Sequence, residues 1–590
     1  MSPQPSASPW KFLLIAAVTY CGGACSLSAA SKVVLEVRHL IHDQPLVLDS
    51  IQYANGDGEP FSITRLSYFI SGFALQRTEG NWMEVPHAVG WIDAGKRHTT
   101  MDLGELAEGD YTSVRFQVGL DPTRNASDPA SRAADHPLNP NLNGLHWSWQ
   151  GGYIFMALEG RFGSKDEDAP GYAYHLARDP FLTSVVINQK IILKEVAQLT
   201  LNFNVAKVFD GARKVSFARD GSSTHSKDGD PIAAMLKANL AHAFTLGNAT
   251  SPAPSTAQSP GEPKTSQTLR LKVSAMFPEP ALPPDNPLSK EKVALGRRLF
   301  SETALSRDSS ISCASCHVSG AALSDPRQFS IGVDGRTGNR NGMPLFNLAW
   351  KREFFWDGRA PSLRAQALMP VEDHREMDEK LDRVAQKLSA IEGYSAAFHA
   401  AFGDSEITPA RLGLALETFL LTLTSYDSKF DKAQRGELEL SADEQRGFEL
   451  FMMEREPRLG TMGGDCFHCH GGPLFTDHQF RNNGLAISEK DLGRFNVTKV
   501  GIDRGAFVTP SLRNIALTPP YMHDGRFSTL EEVLDHYSDG VQRTESLDPN
   551  LAKHPAGGLH LTAEDKKALI AFLRTLTDDR FVEQLKQAQQ

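Results

Sequence analysis

Two pentapeptides constrain this chain more than any other feature: Cys313-Ala314-Ser315-Cys316-His317 and Cys466-Phe467-His468-Cys469-His470. Thiols one helical turn apart can add to the two vinyl groups of a porphyrin, and the imidazole that follows then reaches the iron. A redox dithiol or half of a zinc site would leave the histidine after both pairs unexplained. Each motif therefore predicts a covalently attached c-type haem, held by Cys313, Cys316 and His317 in one case and by Cys466, Cys469 and His470 in the other. Of the six cysteines, the remaining two are Cys21 and Cys25. They lie in a stretch with Lys11, an apolar run over 12–18 and small residues ending at Ala29-Ala30. That is the shape of a secretory leader over residues 1–30, too short to span a bilayer. Lipidation at Cys25 is the weaker alternative, because Gly22 stands where such leaders usually carry leucine. A periplasmic location follows, with no transmembrane span in the mature chain.

The two motifs belong to an internal repeat. Gly296-Arg297-Arg298-Leu299-Phe300 precedes the first and Gly447-Phe448-Glu449-Leu450-Phe451 the second; Asp357-Gly358-Arg359 recurs as Asp524-Gly525-Arg526, and Leu363 as Leu530, at an offset of 167 residues. Helical spacing in Leu295 and Leu299, and in Ile570, Leu573 and Leu576 behind Thr562, makes both modules mainly α. Ser441-x-x-Glu444 adds a capping box. We therefore expect two cytochrome c-type domains in tandem, over 269–440 and 441–590. Ahead of them, Val33, Leu35 and Val37, and later Leu199, Leu201, Phe203 and Val205, alternate as strands do, as do the segments 63–75, 113–120, 153–162 and 184–193. An all-β sandwich over 32–248 is the natural solution. Residues 249–268, rich in Ser, Thr, Pro, Ala and Gly, read as a linker of about 20 residues with a span near 25 Å. A length of 590 residues accommodates this multidomain order, and a net charge of -10 argues against a nucleic-acid partner.

The repeat also speaks to the far side of each iron. Leu363, Gln366 and Pro370 lie at i, i+3 and i+7 and correspond to Leu530, Val533 and Tyr537, one helical face in each module. Proline has no side-chain donor, whereas a phenolic oxygen can bind iron. One open haem and one His470/Tyr537 haem are expected.

The segments Phe355-Trp356-Asp357-Gly358-Arg359, Thr509-Pro510-Ser511-Leu512-Arg513-Asn514 and Tyr521-Met522-His523-Asp524-Gly525 closely resemble the bacterial di-haem cytochrome c peroxidase family, over roughly residues 270–580. Tyr537 stands where ordinary members place a methionine ligand, and no histidine between Val318 and Trp356 can close the first haem at rest. Both departures resemble the MauG-like branch, whose members use hydrogen peroxide to form high-valent haem and oxidise protein side chains. The resemblance implies that Gln366 and Glu376 position peroxide and move its proton, and that Trp356 relays oxidising equivalents between the haems. It also implies calcium between the modules, on Asn341, Thr518 and Pro520, the last two through backbone oxygens.

In the front half, Tyr68-Phe69-Ile70-Ser71, Phe116-Gln117-Val118-Gly119, His146-Trp147-Ser148-Trp149-Gln150-Gly151-Gly152-Tyr153 and Leu158-Glu159-Gly160 resemble the MbnP family. Its members are periplasmic copper-associated proteins, often encoded beside a MauG-like partner, MbnH, that converts one of their tryptophans to kynurenine. Neutral imidazoles suit copper, and His39, His146 and His175 are the candidates. Trp147 and Trp149 share a strand face and are the candidate oxidised residues, with Trp149 slightly preferred because it is nearer the Gly151-Gly152 bend. The expected protein is thus a periplasmic di-haem peroxidase that oxidises its own MbnP-like domain, with a small periplasmic electron carrier as a further partner. Two alternatives stand beside it. One is a cytochrome c peroxidase that detoxifies hydrogen peroxide; the other is a copper-binding or electron-transfer protein without peroxidatic turnover.

Overall fold

The structure, a computed structural model, describes residues 30–147, 152–163, 169–193, 198–247, 269–457 and 460–587. The expected leader up to residue 29, Trp149 and the 249–268 linker lie outside the described residues.

The front part is a two-sheet β structure, as its alternating pattern requires. Its main strands are β1 (Ala30–Ile41), β2 (Arg65–Arg77), β3 (Gly109–Val118), β4 (Ile154–Arg161), β5 (Gly171–Ala177) and β6 (Gln198–Asn204). In the smaller sheet β1 runs parallel to β6, from Val34 opposite Gln198 to Leu40 opposite Asn204. The larger sheet, nine-stranded among the described residues, carries β3, β2, β4 and β5 side by side, each antiparallel to its neighbour. Leu35, Val37, Leu201 and Phe203 meet Tyr68, Ile70, Met156, Leu158 and Tyr174 in the core between the sheets.

The rest is mainly helical: α1 (Lys290–Phe300), α2 (Leu363–Glu372), α3 (Pro409–Leu421), α4 (Ala442–Met452), α5 (Leu530–Asp535) and α6 (Ala563–Arg574). Thr562 and Ser441 cap α6 and α4, each in a capping box. The internal repeat is visible in the backbone. Asn347 and Asn514 take matching left-handed φ values of 55° and 56°, and Phe355 and Met522 values of 65° and 73°. Bridges join Phe354 to Ala360 in one module and Tyr521 to Phe527 in the other. The recurring glycine also has a physical reason. A Cβ on Gly296 of α1 would collide with the Ala415 carbonyl of α3, and one on Gly447 of α4 with the Ala568 carbonyl of α6. In both modules the helix before the cysteine pair crosses its partner backbone to backbone.

The outer face of β4 and β5 is not solvated. Every residue of β4 and β5 is buried. Met156 and Leu158 point into the sandwich, while Phe155, Ala157 and Ala177 join Phe451, Phe467, Leu530 and Phe572 in a second core shared with the last module. A polar contact seals this seam, Asn550 Nδ2 donating to Glu159 Oε2 at 3.0 Å, and Asn141 Nδ2 reaches the first haem module at the Trp350 carbonyl, 2.8 Å away.

Gly447→Ala should lower stability by roughly 1–3 kcal/mol through overpacking at the α4/α6 crossing. Gly501→Ala, where the added methyl meets open space, should leave the denaturation midpoint unchanged; chemical unfolding of the two variants checks this.

Candidate functional site

The first CxxCH motif opens on a cavity that gathers most of the residues singled out for the peroxide side. Cys313, Cys316 and His317 line it together with Trp356, Gln366, Pro370 and Glu376. His317 Nδ1 lies 2.9 Å from the Leu323 carbonyl, which places the ring proton on Nδ1 and leaves the Nε2 lone pair free for iron. The second motif repeats the device, with His470 Nδ1 at 3.2 Å from the Phe475 carbonyl. Burial pushes the Cys313 and Cys466 thiols up to about 12, the opposite of the ionised thiol a redox dithiol needs. Both residue sets thus fit covalent haem attachment with an imidazole beneath the iron.

On the far side the modules differ. Pro370 lies inside α2 and lines the first cavity without offering a donor. Glu376, half-buried beside the same cavity, has its carboxyl raised by burial and by Asp373, against the opposing pull of Arg359 and Arg375. In the second module α5 runs into a π turn, His536–Gly540, which carries Tyr537; such turns re-aim a side chain within a helical path. The Tyr537 hydroxyl receives Asn483 Nδ2 at 3.4 Å, and burial pushes the phenol up to about 12. Asn483 also reaches Met522 Sδ at 3.5 Å. Asn483 and Met522 are neighbours of Tyr537 that sequence reasoning did not single out.

Comparison with known proteins agrees with this layout. The pattern of the family described as di-haem cytochrome c peroxidase matches residues 290–439, and that of MbnP matches residues 30–226. The methylamine utilization protein MauG of Methylorubrum extorquens is 41% identical over 298 residues, covering 50% of this chain and 80% of that protein. The chain belongs to the di-haem cytochrome c peroxidase family. Cytochrome c551 peroxidase of Nitrosomonas europaea is 31% identical over 334 residues, 53% of this chain and 90% of its own. A solved MauG-like protein associated with microbial copper homeostasis is 33% identical, covers 53% of this chain and 97% of its own, and superposes with a TM-score of 0.48. The protein is a MauG-like di-haem peroxidase, an oxidoreductase with two haems, and carries an MbnP domain in front.

Within this peroxidase, Trp356 stands between the modules. Its Nε1 donates to the Asn341 carbonyl at 2.9 Å, its own carbonyl accepts from Val508 N at 2.8 Å, and its ring packs with Phe507 and Val508. Asn341 N–H donates to the His523 carbonyl at 2.8 Å, which puts Asn341 on the same seam. Its side-chain Nδ2 donates to the Arg327 carbonyl at 2.9 Å, and Thr518 Oγ1 to the Ile515 carbonyl at 3.3 Å.

The front domain corrects one expectation. His39, His146 and His175 do not form a group. His39 Nε2 lies 3.0 Å from the Tyr68 hydroxyl and its ring packs on Phe203 in the sandwich core, and His146 stands edge-on to Tyr153 at 4.6 Å. The period of β5 explains the split: Tyr172, Tyr174 and Leu176 face the sandwich, so His175 faces the last module. There it meets His225 and His468, with one nitrogen from each ring within 4.8 Å of the others. Burial lowers all three imidazoles, His175 to about 4. Trp147, 8% exposed, packs against this group, with ring centroids 6.2 Å from His175, 5.8 Å from His225 and 6.3 Å from Phe467. His468 escaped notice because it fills a variable position inside the haem motif; its only signal was a second histidine in C-F-H-C-H.

Tyr537→Phe should retain both haems but change the low-spin part of the visible spectrum, because His470 alone then holds that iron. An unchanged low-spin spectrum removes Tyr537 as a ligand.

Proposed function

We propose that this peroxidase uses hydrogen peroxide to oxidise a tryptophan of its own MbnP domain, and that the residue is Trp147. One observation carries the assignment: Trp147 is buried against Phe467, inside the second haem-attachment motif. In this reading Cys313, Cys316 and His317 hold the first haem, and Cys466, Cys469, His470 and Tyr537 the second. Bound haem would supply the peroxide chemistry in the cavity that His317 lines together with Gln366 and Glu376. Gln366 orients peroxide by hydrogen bonding, and Glu376 accepts and returns its proton, a task suited to a carboxylate whose pKa is raised toward neutrality. Trp356 bridges the modules as an aromatic relay. Asn341, Thr518 and Pro520 hold calcium on the seam beside it. The leader over 1–30 sends the chain to the periplasm, where a small electron carrier serves as partner. Contact between the domains, and not the tether alone, sets the distance between oxidant and substrate.

Glu376→Gln keeps the side-chain shape but cannot exchange a proton, so peroxide turnover should slow by about 10²-fold or more. The raised carboxyl pKa places the acid limb of the wild-type rate above the pH of an ordinary glutamate: the rate falls as pH drops through it. In Glu376→Gln that limb should vanish; a limb that persists reassigns the proton acceptor.

Peptide mass spectrometry after peroxide treatment should show a kynurenine-type product at Trp147, formed at a rate independent of protein concentration. A haem-dead His317→Gly chain mixed with active protein should remain unmodified. If Trp147 is unchanged in active protein, the self-oxidation reading fails and peroxide detoxification replaces it.

A further inference from the structure

Three cationic side chains line the first haem cavity: Arg340, Lys351 and Arg359. Two of them are balanced by the protein itself. Arg340 reaches Asp357 at 2.8 Å and Asp491 at 2.7 Å, and Arg359 reaches Asp357 at 3.0 Å. Lys351 has no carboxylate within 4.0 Å among the described residues. Its Nζ reaches Met343 Sδ at 3.8 Å, a weak acceptor that cannot balance a charge. Burial lowers this ammonium to about 8, against the pull of Glu353 and Asp357. His478 of the second module feels the same charge: burial, with Lys351 next in effect, lowers its imidazole to about 4, so it stays neutral and supplies no cation of its own.

A lysine usually carries its charge out to water on a flexible stem. The backbone beneath Lys351 is held in place instead. It follows the turn Leu348–Trp350, and its N–H donates to the Leu348 carbonyl at 3.1 Å. Trp350, 1% exposed, donates Nε1 to the Pro278 carbonyl at 2.6 Å, and its own carbonyl accepts from Asn141 Nδ2 of the front domain at 2.8 Å. The peptide that bears Lys351 is thus fixed by both domains, with the side chain on the cavity wall. A cation placed there without a protein anion calls for an anion that arrives with the occupant. A c-type haem brings two, because thioether attachment uses its vinyl groups and leaves both propionates ionised. Hydrogen peroxide is neutral and balances nothing.

We infer that Lys351 is the cationic partner of a propionate of the first haem, and that this pair sets how readily that haem is reduced. The inference deepens the proposed function, because it rests on the first haem being held by Cys313, Cys316 and His317. Ferric iron carries one more positive charge than ferrous iron, so an ammonium fixed beside the porphyrin opposes the ferric state. Removing the ammonium therefore favours the oxidised haem. Methionine keeps an unbranched stem and loses the charge; arginine keeps the charge.

The test uses the full-length, haem-loaded protein. Lys351→Met should retain covalent haem at both motifs, read by mass spectrometry of the haem peptides, since attachment needs only the cysteines. In a redox titration followed at the high-spin band, its equilibrium with a reference dye should move toward the ferric first haem on the order of 10-fold or more. The propionate bending band in its resonance Raman spectrum should move as well, and Lys351→Arg should restore both. A lysine that only fills space would move neither. An experimental structure of the haem-loaded wild type, which depends on no variant, should place Lys351 Nζ at hydrogen-bond distance from a propionate oxygen. An unchanged equilibrium and Raman band in Lys351→Met with haem in place, no restoration by Lys351→Arg, or Lys351 Nζ found on a protein carboxylate or a free anion would each overturn the inference alone. A wild-type chain with no haem on the peptide of Cys313 and Cys316 would sink the assignment beneath it and the inference together.

Discussion

The burial of two neighbouring strands, β4 and β5, on both faces is the constraint on which the rest of this molecule depends. A sandwich domain normally leaves one face of each sheet to water, which gives alternating polar positions. Here β4 and β5 have no exposed position. Met156 and Leu158 fill the sandwich, and the residues alternating with them, Phe155 and Ala157, close a core whose other wall is Phe451, Phe467 and Phe572 of the last module. The same alternation carries Glu159 and His175 to the outer face. Docking thus decides which front-domain side chains can meet the haem-binding motif, and it brings Trp147 to Phe467.

A consequence is that the polar groups at the seam are buried by an interface and must be satisfied across it. Glu159 shows this most clearly. It faces Arg65 at 2.9 Å and His175 at 2.9 Å within its own domain, and takes Asn550 at 3.0 Å from the other. Asp465, on the opposite side, is met within its own module by Lys553 and His554, each at 2.9 Å. Removing one partner of such a set leaves a buried charge uncompensated. The arrangement therefore favours one docked geometry over a range of them.

The sequence disclosed the parts that are local. Cys313, Cys316, His317 and their repeats announce themselves by spacing, Ser441 and Thr562 by their capping partners, and Pro370 against Tyr537 by the offset of the repeat. The gathering of Gln366, Glu376 and Trp356 around one cavity came from resemblance, since nothing in their spacing brings them together. What stayed hidden is long-range. His225 and His468 are 243 positions apart, and no periodicity links a Ser/Thr-rich loop to the middle of a haem motif. His39 misled for the same reason: its strand setting was legible, but not that it faces the sandwich core and Tyr68.

The shared core can be tested without touching any residue of the sites. A protease site placed within residues 249–268 and cleaved in the haem-loaded protein severs the covalent tie and leaves the packing intact. The two halves should then remain together through size-exclusion chromatography at nanomolar concentration, with the sedimentation coefficient of the uncut chain. Separation of the halves on cleavage would contradict the account, because the face of β4 and β5 would then be a surface held in place only by its tether.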